Sequence, residues 1–266
     1  MKYRTFVMMM QVSRYKLTLS YDGQAFFGWQ VQPEDRTVQG VLQENLEKLL
    51  QEKITVTGCG RTDRGVHASY YVAHFDAQKE LDNLLYRLNK MLPDEVIVHE
   101  CMPVAADFHA RYAARWRTYK YHIANKRNPF TYRYRWVQAF DQWNWTSIQE
   151  GSEMLIKYDD FQAMSKRDDS LEHYHCEVVQ AQWDRQGDEL VFTITARRFL
   201  HNMVRRIVGG LSDLGQGKLS IVDWESALKD GKLLPKSLTA PPQGLFLAGI
   251  SYEQALPIES DSTNNG

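Results

Sequence analysis

The chain has 266 residues, of which 43% are hydrophobic and 24% are charged, and its formal net charge is −1. This composition is typical of a globular protein and excludes a collagen, a coiled coil, a disulfide-stapled miniprotein and a largely disordered chain. Because no global cationic field exists, a polyanionic partner would need a local basic patch.

The cysteines and the hydropathy pattern indicate the cellular compartment in which the protein resides. Cys59, Cys101 and Cys176 are scattered without CxxC spacing, which favours a reducing cytosol over a secreted disulfide framework. The N-terminal apolar stretch is too short for a signal-peptide core, and no run approaches the length of a membrane span. We therefore predict a cytoplasmic protein with no membrane contact.

The first half of the chain alternates strand and helix patterns. The apolar spacing predicts strands over 15–20, 54–57, 70–75 and 96–99, and helices over 38–50 and 81–92. Thr37 is the expected N-cap of the first helix, and Pro93 ends the second. The order β, α, β, β, α, β is typical of a ferredoxin-like or split βαβ unit.

The second half has more strands. We predict strands over 117–123, 178–183, 190–196 and 244–252, and helices over 145–156 and along the apolar stripe from Leu200 to Leu214. Gln186-Gly187-Asp188 is the expected hairpin turn between two of these strands.

Together these patterns predict an α+β fold of two α+β halves, each a mostly antiparallel sheet with helices on one face. A groove between the halves would be a natural ligand site. We expect an N-terminal extension over 1–12, a first half over 13–112, a second half over 113–253 and a disordered tail over 254–266.

Charge is concentrated locally. Residues 108–140 hold eight basic residues and no acidic one, interleaved with tyrosines, tryptophans and phenylalanines, whereas residues 141–190 hold twelve acidic and four basic residues. Interleaved cations and flat rings suit RNA, in which phosphates attract charge and unstacked bases stack on rings. A solvated basic face with core aromatics is the competing interpretation.

The loop at residues 58–68 is the most unusual segment. It holds three glycines within eight residues, and it matches neither a phosphate-binding Walker loop nor a dinucleotide fingerprint. Asp63 is its single carboxylate, with Arg61 and Arg64 on either side in sequence. Neighbouring cations keep a carboxylate ionised, which favours a nucleophile or general base over a general acid.

Other interpretations of these residues stay open. Asp63 followed by Gly65 is also typical of a turn in which the side chain caps its own backbone. Cys59 would need a histidine such as His67 to act as a nucleophile, and His67 is more often a packed histidine. A metal site at His173, His175 and Cys176 lacks a second cluster with ligand spacing, so we predict no metal.

Six blocks of the sequence resemble the tRNA pseudouridine synthase A family in the order expected. GRTDRGVHA (60–68) carries the most specific match. The others are YDGQAFFGWQVQP (21–33), TVQGVLQ (37–43), FHARYAARWRTYKY (108–121), FLHNMVRRIVGGL (199–211) and APPQGLFLAGISY (240–252). They span almost the whole folded chain. Arg64, Trp116 and the N-terminal extension depart from the family pattern without touching the expected chemistry.

The resemblance implies an isomerase with the pseudouridine synthase fold that converts uridines 38, 39 and 40 of the tRNA anticodon stem-loop to pseudouridine. It implies a homodimer that needs no cofactor and no metal. The catalytic nucleophile would be Asp63, and Tyr119 would stack on the target base. Arg61 would help to hold the flipped nucleotide, and Arg205 would lie beside the aspartate. Leu245 or Leu247 would form a hydrophobic wall.

Two other functions remain compatible with the residues. A tRNA-binding protein or RNA chaperone without catalysis would use the same basic and aromatic segments. A hydrolase that forms an ester on Asp63 is disfavoured, because no further carboxylate lies near Asp63 in sequence.

Overall fold

The computed structural model describes residues 12–79, 82–166, 170–232, 234 and 239–253. The predicted extension over 1–12, apart from Val12, and the predicted tail over 254–266 lie outside these residues. Within them the chain forms nine strands and five α-helices. The strands are β1 Ser13–Tyr21, β2 Thr57–Gly58, β3 His67–Ala77, β4 Val96–Val104, β5 Trp116–Ala124, β6 Trp136–Val137, β7 Val178–Gln186, β8 Glu189–Ala196 and β9 Leu245–Ser251. The helices are α1 Val38–Leu50, α2 Leu84–Met91, α3 Trp145–Lys157, α4 Met203–Gly215 and α5 Ile221–Asp230.

The predicted α+β fold is confirmed, and its sheet is mostly antiparallel. Among the described residues the strands of both halves form one continuous sheet in the order β4-β1-β3-β9-β5-β8-β7, with β2 on β3 and β6 on β5. Strands β3 and β9, which belong to the two predicted halves, pair in parallel at His67 opposite Phe246 and Ala68 opposite Leu247. Because β3 begins at His67, the glycine-rich loop enters the sheet at this junction.

Helix α1 has the predicted bounds, and its N-cap is confirmed. Thr37 accepts a hydrogen bond from the Gly40 amide at 3.3 Å, and Val38, Leu42 and Leu46 are fully buried in the core. The helix also explains why the predicted strand over 54–57 is wrong for residues 54–56. Gln43 accepts from the Val56 amide, and Gln39 donates to the Val56 carbonyl, so helix side chains replace a strand partner there.

The remaining predicted elements are confirmed with shifted ends, except that Leu81, the predicted start of the second helix, lies outside the described residues. Two further elements, the short β6 and helix α5, were not predicted. Helix α5 begins at a cap in which Ser220 accepts from the Asp223 amide at 3.1 Å. None of the helices in the described part of the chain is both long and apolar enough to cross a bilayer.

Candidate active site

The glycine-rich loop is held by contacts to the end of β1 and to the segment that follows it. The Trp29 amide donates to the Thr62 carbonyl at 3.2 Å, and the Tyr21 hydroxyl pairs with the Thr62 hydroxyl at 2.8 Å. Gly28 lies so close that a Cβ added to it would be 2.5 Å from the Thr62 carbonyl oxygen. At a φ of +89° this position favours glycine in any case. The residue before Asp63 is therefore held from both backbone and side chain.

Asp63 forms the tight turn in which its carbonyl accepts from the Val66 amide at 3.1 Å. Its side chain is 29% exposed, and one carboxylate oxygen, Oδ2, lies 3.6 Å from Nη1 of Arg205. The other, Oδ1, lies 3.5 Å from Nε2 of His201. These separations are longer than hydrogen bonds. The carboxylate is thus accessible, and its two neighbours come from α4 and from the segment just before it.

The expectation that Arg61 and Arg64 bracket the carboxylate is wrong. Among the described ion pairs, Asp63 contacts Arg205 and His201 and neither of its sequence neighbours. Arg64 lies over the ring of Phe27, with its guanidinium carbon 4.0 Å from the ring centroid. Arg61 is exposed and lines a separate cleft. In a turn this tight, successive side chains leave in different directions, so adjacency in sequence does not bring charges together.

Arg205 is held in place by the backbone and by Asn202. Its Nε donates to the Ala240 carbonyl at 2.7 Å, and its Nη1 donates to the Asn202 side-chain oxygen at 3.0 Å. The Ala240 amide donates back to the Arg205 carbonyl at 3.0 Å. One guanidinium therefore connects α4, the segment before β9 and Asp63.

Tyr119 lies on β5, opposite Leu247 of β9 and Ile194 of β8. It is only 9% exposed, and its ring contacts Phe199 edge-on at 5.0 Å between centroids. Burial raises the pKa of the Tyr119 phenol, and the Asp63 carboxylate adds to the effect, so the hydroxyl stays protonated at neutral pH. Of the two leucines in the sequence prediction, Leu247 faces Tyr119, whereas Leu245 faces Tyr121.

Cys59 and His67 do not form a nucleophilic pair. Cys59 is fully buried, and burial raises the pKa of its thiol to about 11. His67 is also buried, with Nδ1 accepting from the Gly23 amide at 3.1 Å and its ring stacked on Phe246 at 4.5 Å. Both residues support the loop and carry no reactive group into it.

His173, His175 and Cys176, which the sequence analysis considered as metal ligands, do not form a group that could hold a metal ion. His175 lies 3.3 Å from Asp159, and Cys176 is buried. Within the described ranges no three His, Cys, Asp or Glu side chains converge as metal ligands.

Arg117 and His201 are two residues of the site whose positions the sequence did not indicate. Arg117 donates to four backbone carbonyls and thereby joins the loop, the 111–114 turn and the end of β8. They are those of Cys59 at 3.1 Å, Arg111 at 2.8 Å, Ala114 at 3.2 Å and Arg197 at 2.7 Å. In the sequence Arg117 was marked only as part of the block 108–121 that resembles the family, without a role of its own. His201 lies two residues before α4. It belongs to the block 199–211, which resembles the family as a whole and does not single out this histidine.

Comparison with known proteins agrees with this arrangement. A family model described as tRNA pseudouridine synthase matches residues 18–113 and 155–253. A tRNA pseudouridine synthase A from Bacteroides fragilis is 38% identical over 251 residues, covering 93% of this chain and 99% of the relative. Relatives of the same name from Parabacteroides distasonis and Caldicellulosiruptor bescii are 36% and 35% identical, covering 92% and 89% of this chain and 99% and 98% of their own lengths. The chain belongs to the tRNA pseudouridine synthase family and is an isomerase.

Proposed function

We propose that this enzyme converts uridines 38, 39 and 40 of the tRNA anticodon stem-loop to pseudouridine, with Asp63 as the nucleophile. The observation that carries the proposal is the accessible Asp63 carboxylate, fixed by its turn and faced by Arg205 and His201. The assignment to these uridines rests on the resemblance of the loop and its companion blocks to the family.

The reaction balances without a co-reactant. The bond between N1 and C1′ breaks, the uracil rotates, and a bond forms between C5 and C1′. The C5 proton is lost, and N1 gains a proton, so there is no net oxidation and no added group. In the proposed mechanism Asp63 supplies the electron pair that opens this sequence by adding covalently to the substrate, and the Asp63–substrate bond breaks again before the product leaves, which regenerates the carboxylate. We therefore propose that no cofactor takes part.

Arg205 and His201 suit the role of holding the carboxylate for attack. Arg205 is fixed by the Ala240 carbonyl and Asn202, so its charge beside Asp63 requires no reorganisation during the reaction. At 3.6 Å the guanidinium attracts the carboxylate without a short hydrogen bond that would occupy its lone pairs.

A uridine in a stem must leave the stack before its glycosidic bond can be attacked. We propose that the flipped base packs against Tyr119, with Leu247 or Leu245 as the apolar wall, and that Arg61 helps to hold the displaced nucleotide. The contact with Phe199 supports this role, because it fixes the orientation of the Tyr119 ring.

The basic and aromatic residues outside the site favour an RNA substrate over a small molecule. The strand aromatics of residues 108–140 are buried, but Tyr112 is 77% exposed and Phe130 is 88% exposed. Arg127 lies over the ring of Tyr132, 4.8 Å from its centroid. Exposed rings close to cationic side chains are suited to bases and phosphates.

We also propose a homodimer in the cytoplasm. The resemblance supports the dimer, and the cysteines, all three of which are free, support a reducing compartment.

The experiment is tritium release from unmodified tRNA labelled at C5 of uridine, because binding alone cannot exchange that hydrogen. Asp63→Asn should lower the rate by about 10³-fold or more while RNA affinity changes little. Asp184→Asn, a carboxamide change on the edge strand β7, is the control and should keep the wild-type rate. Near-full release by Asp63→Asn would refute Asp63 as the nucleophile, and sequencing of the modified tRNA would test positions 38–40.

A further inference from the structure

A second cleft of about 230 Å³ lies beside the catalytic loop and does not include Asp63. It is lined by loop residues and by residues of the segments on either side. The lining includes Gln30, Thr55, Thr57, Gly60, Arg61 and Arg111. Ligand pockets in proteins are commonly about 300–1,000 Å³, so this cleft suits a single base rather than a larger molecule.

Two arginines give the cleft its charge. Arg61 and Arg111 are exposed, and neither forms an ion pair with a carboxylate among the described residues. Arg117 donates to the backbone carbonyls of both Arg111 and Cys59, at 2.8 and 3.1 Å, so Arg111 is tied to the start of the loop that carries Arg61. Two exposed guanidiniums at one cleft, without a carboxylate partner in the described part of the chain, are suited to a phosphate group.

The rest of the cleft is lined by Trp29 and Val56 together with polar residues, and hydrogen bonds hold its wall in place. The Gln39 side chain donates to the Val56 carbonyl at 2.8 Å and accepts from the Val31 amide at 2.9 Å, which fixes the wall behind Thr55 and Thr57. At Gly60 an added Cβ would meet no atom within 4 Å, so the backbone is open to the cleft. Hydroxyl and backbone groups of this kind can hydrogen-bond the edge of a nucleobase.

We propose that this cleft binds the nucleotide adjacent to the target uridine, with its phosphate on Arg61 and Arg111 and its base against Thr55 and Thr57. The inference rests on the proposed function. Arg61 and Asp63 are two residues apart, so their Cα atoms are separated by at most about 7.6 Å. A cleft this close to the carboxylate is within reach of a neighbouring nucleotide and not of a remote part of the tRNA.

The test measures the binding of an anticodon stem-loop RNA to Asp63→Asn protein, which holds the substrate without turnover. Adding Arg111→Ala should weaken binding about five- to tenfold and reduce the salt slope, d log K/d log[salt], by about 0.7, the value for one phosphate contact on a single strand. Thr55→Phe should weaken binding without changing that slope, because it fills the cleft and leaves its charge. Arg87→Ala, an exposed arginine on α2, is the matched control and should change neither quantity.

The outcomes separate this proposal from the proposed function. If the unsubstituted enzyme releases tritium but Arg111→Ala and Thr55→Phe bind RNA as tightly as their parent, the cleft proposal is refuted and the function stands. If tritium is not released but both variants lose affinity as described, the function is refuted and the cleft stands as an RNA site. Far-ultraviolet circular dichroism and thermal midpoints verify that each variant is folded.

Discussion

Gly28 provides the sharpest test of how the backbone positions Asp63. It is in the turn between β1 and α1, where its carbonyl accepts from the Val38 amide at 3.2 Å, and it faces the Thr62 carbonyl. We expect Gly28→Ala to reduce turnover without unfolding the protein, because the new methyl group pushes on the residue that precedes Asp63.

The structure sets the size of this effect. The new Cβ would lie 2.5 Å from the Thr62 oxygen, whereas tight contacts are 3.0–3.4 Å, so the loop must retreat by about 0.5–0.9 Å. A misplacement of about 1 Å at a catalytic group can cost about 10²-fold in rate. We therefore expect kcat to fall about 10- to 100-fold. The left-handed backbone adds about 1–2 kcal/mol of destabilisation.

Gly187→Ala is the control for the destabilisation that a side chain causes at a left-handed backbone position. Gly187 has a φ of +61° in the β7–β8 turn, and a Cβ added there would meet no atom within 4 Å. Urea unfolding should show a loss of stability in both variants, larger in Gly28→Ala because the Thr62 backbone must also shift. Tritium release at saturating tRNA should show a loss of kcat only in Gly28→Ala. If the two variants keep the same kcat, the contact with Thr62 does not position Asp63.

Two further predictions concern stability. Arg117→Met should lower the free energy of unfolding by about 3 kcal/mol, because four carbonyls lose a charged donor, and Arg117→Lys should lose about half as much; a lysine variant with the wild-type urea midpoint would contradict this. Burial, with the positive charges of Arg135 and Lys120, lowers the pKa of His122 to about 4, below the roughly 6.5 of an unfolded chain. The unfolded state therefore binds more protons between these values, and stability should fall by up to about 3 kcal/mol as pH drops from 6.5 to 4; urea unfolding of His122→Gln should lack this part of the pH dependence.

Local patterns predicted the elements whose stability is local. Helix α1 has an apolar stripe and a capping threonine in the sequence itself, and its bounds are as predicted. Residues 54–56 also alternate as a strand does, but their backbone bonds to Gln39 and Gln43 of α1. Helix α5 was not predicted, although the sequence holds local signals for it: Ser220 is its cap, Gly231 ends it, and its apolar residues Trp224, Ala227 and Leu228 are buried.

The site divides in the same way. The glycines of the loop and Asp63 are adjacent in sequence, so the local composition alone was enough to predict them as part of a functional site. Arg205 and His201, the neighbours of Asp63, lie about 140 residues away in sequence, and only the family resemblance pointed to Arg205. His201 and the carbonyl contacts of Arg117 depend on how distant segments meet, which periodicity does not encode.

The ion pair between Asp63 and Arg205 crosses the junction of β3 and β9. A fragment ending near residue 112 would retain the carboxylate and lose both Arg205 and His201, and the complementary fragment would retain these two residues without the carboxylate. Neither fragment would therefore retain even a reduced activity. Any circularly permuted or split version of this protein must therefore restore the pairing of β3 with β9 before it can restore enzymatic activity.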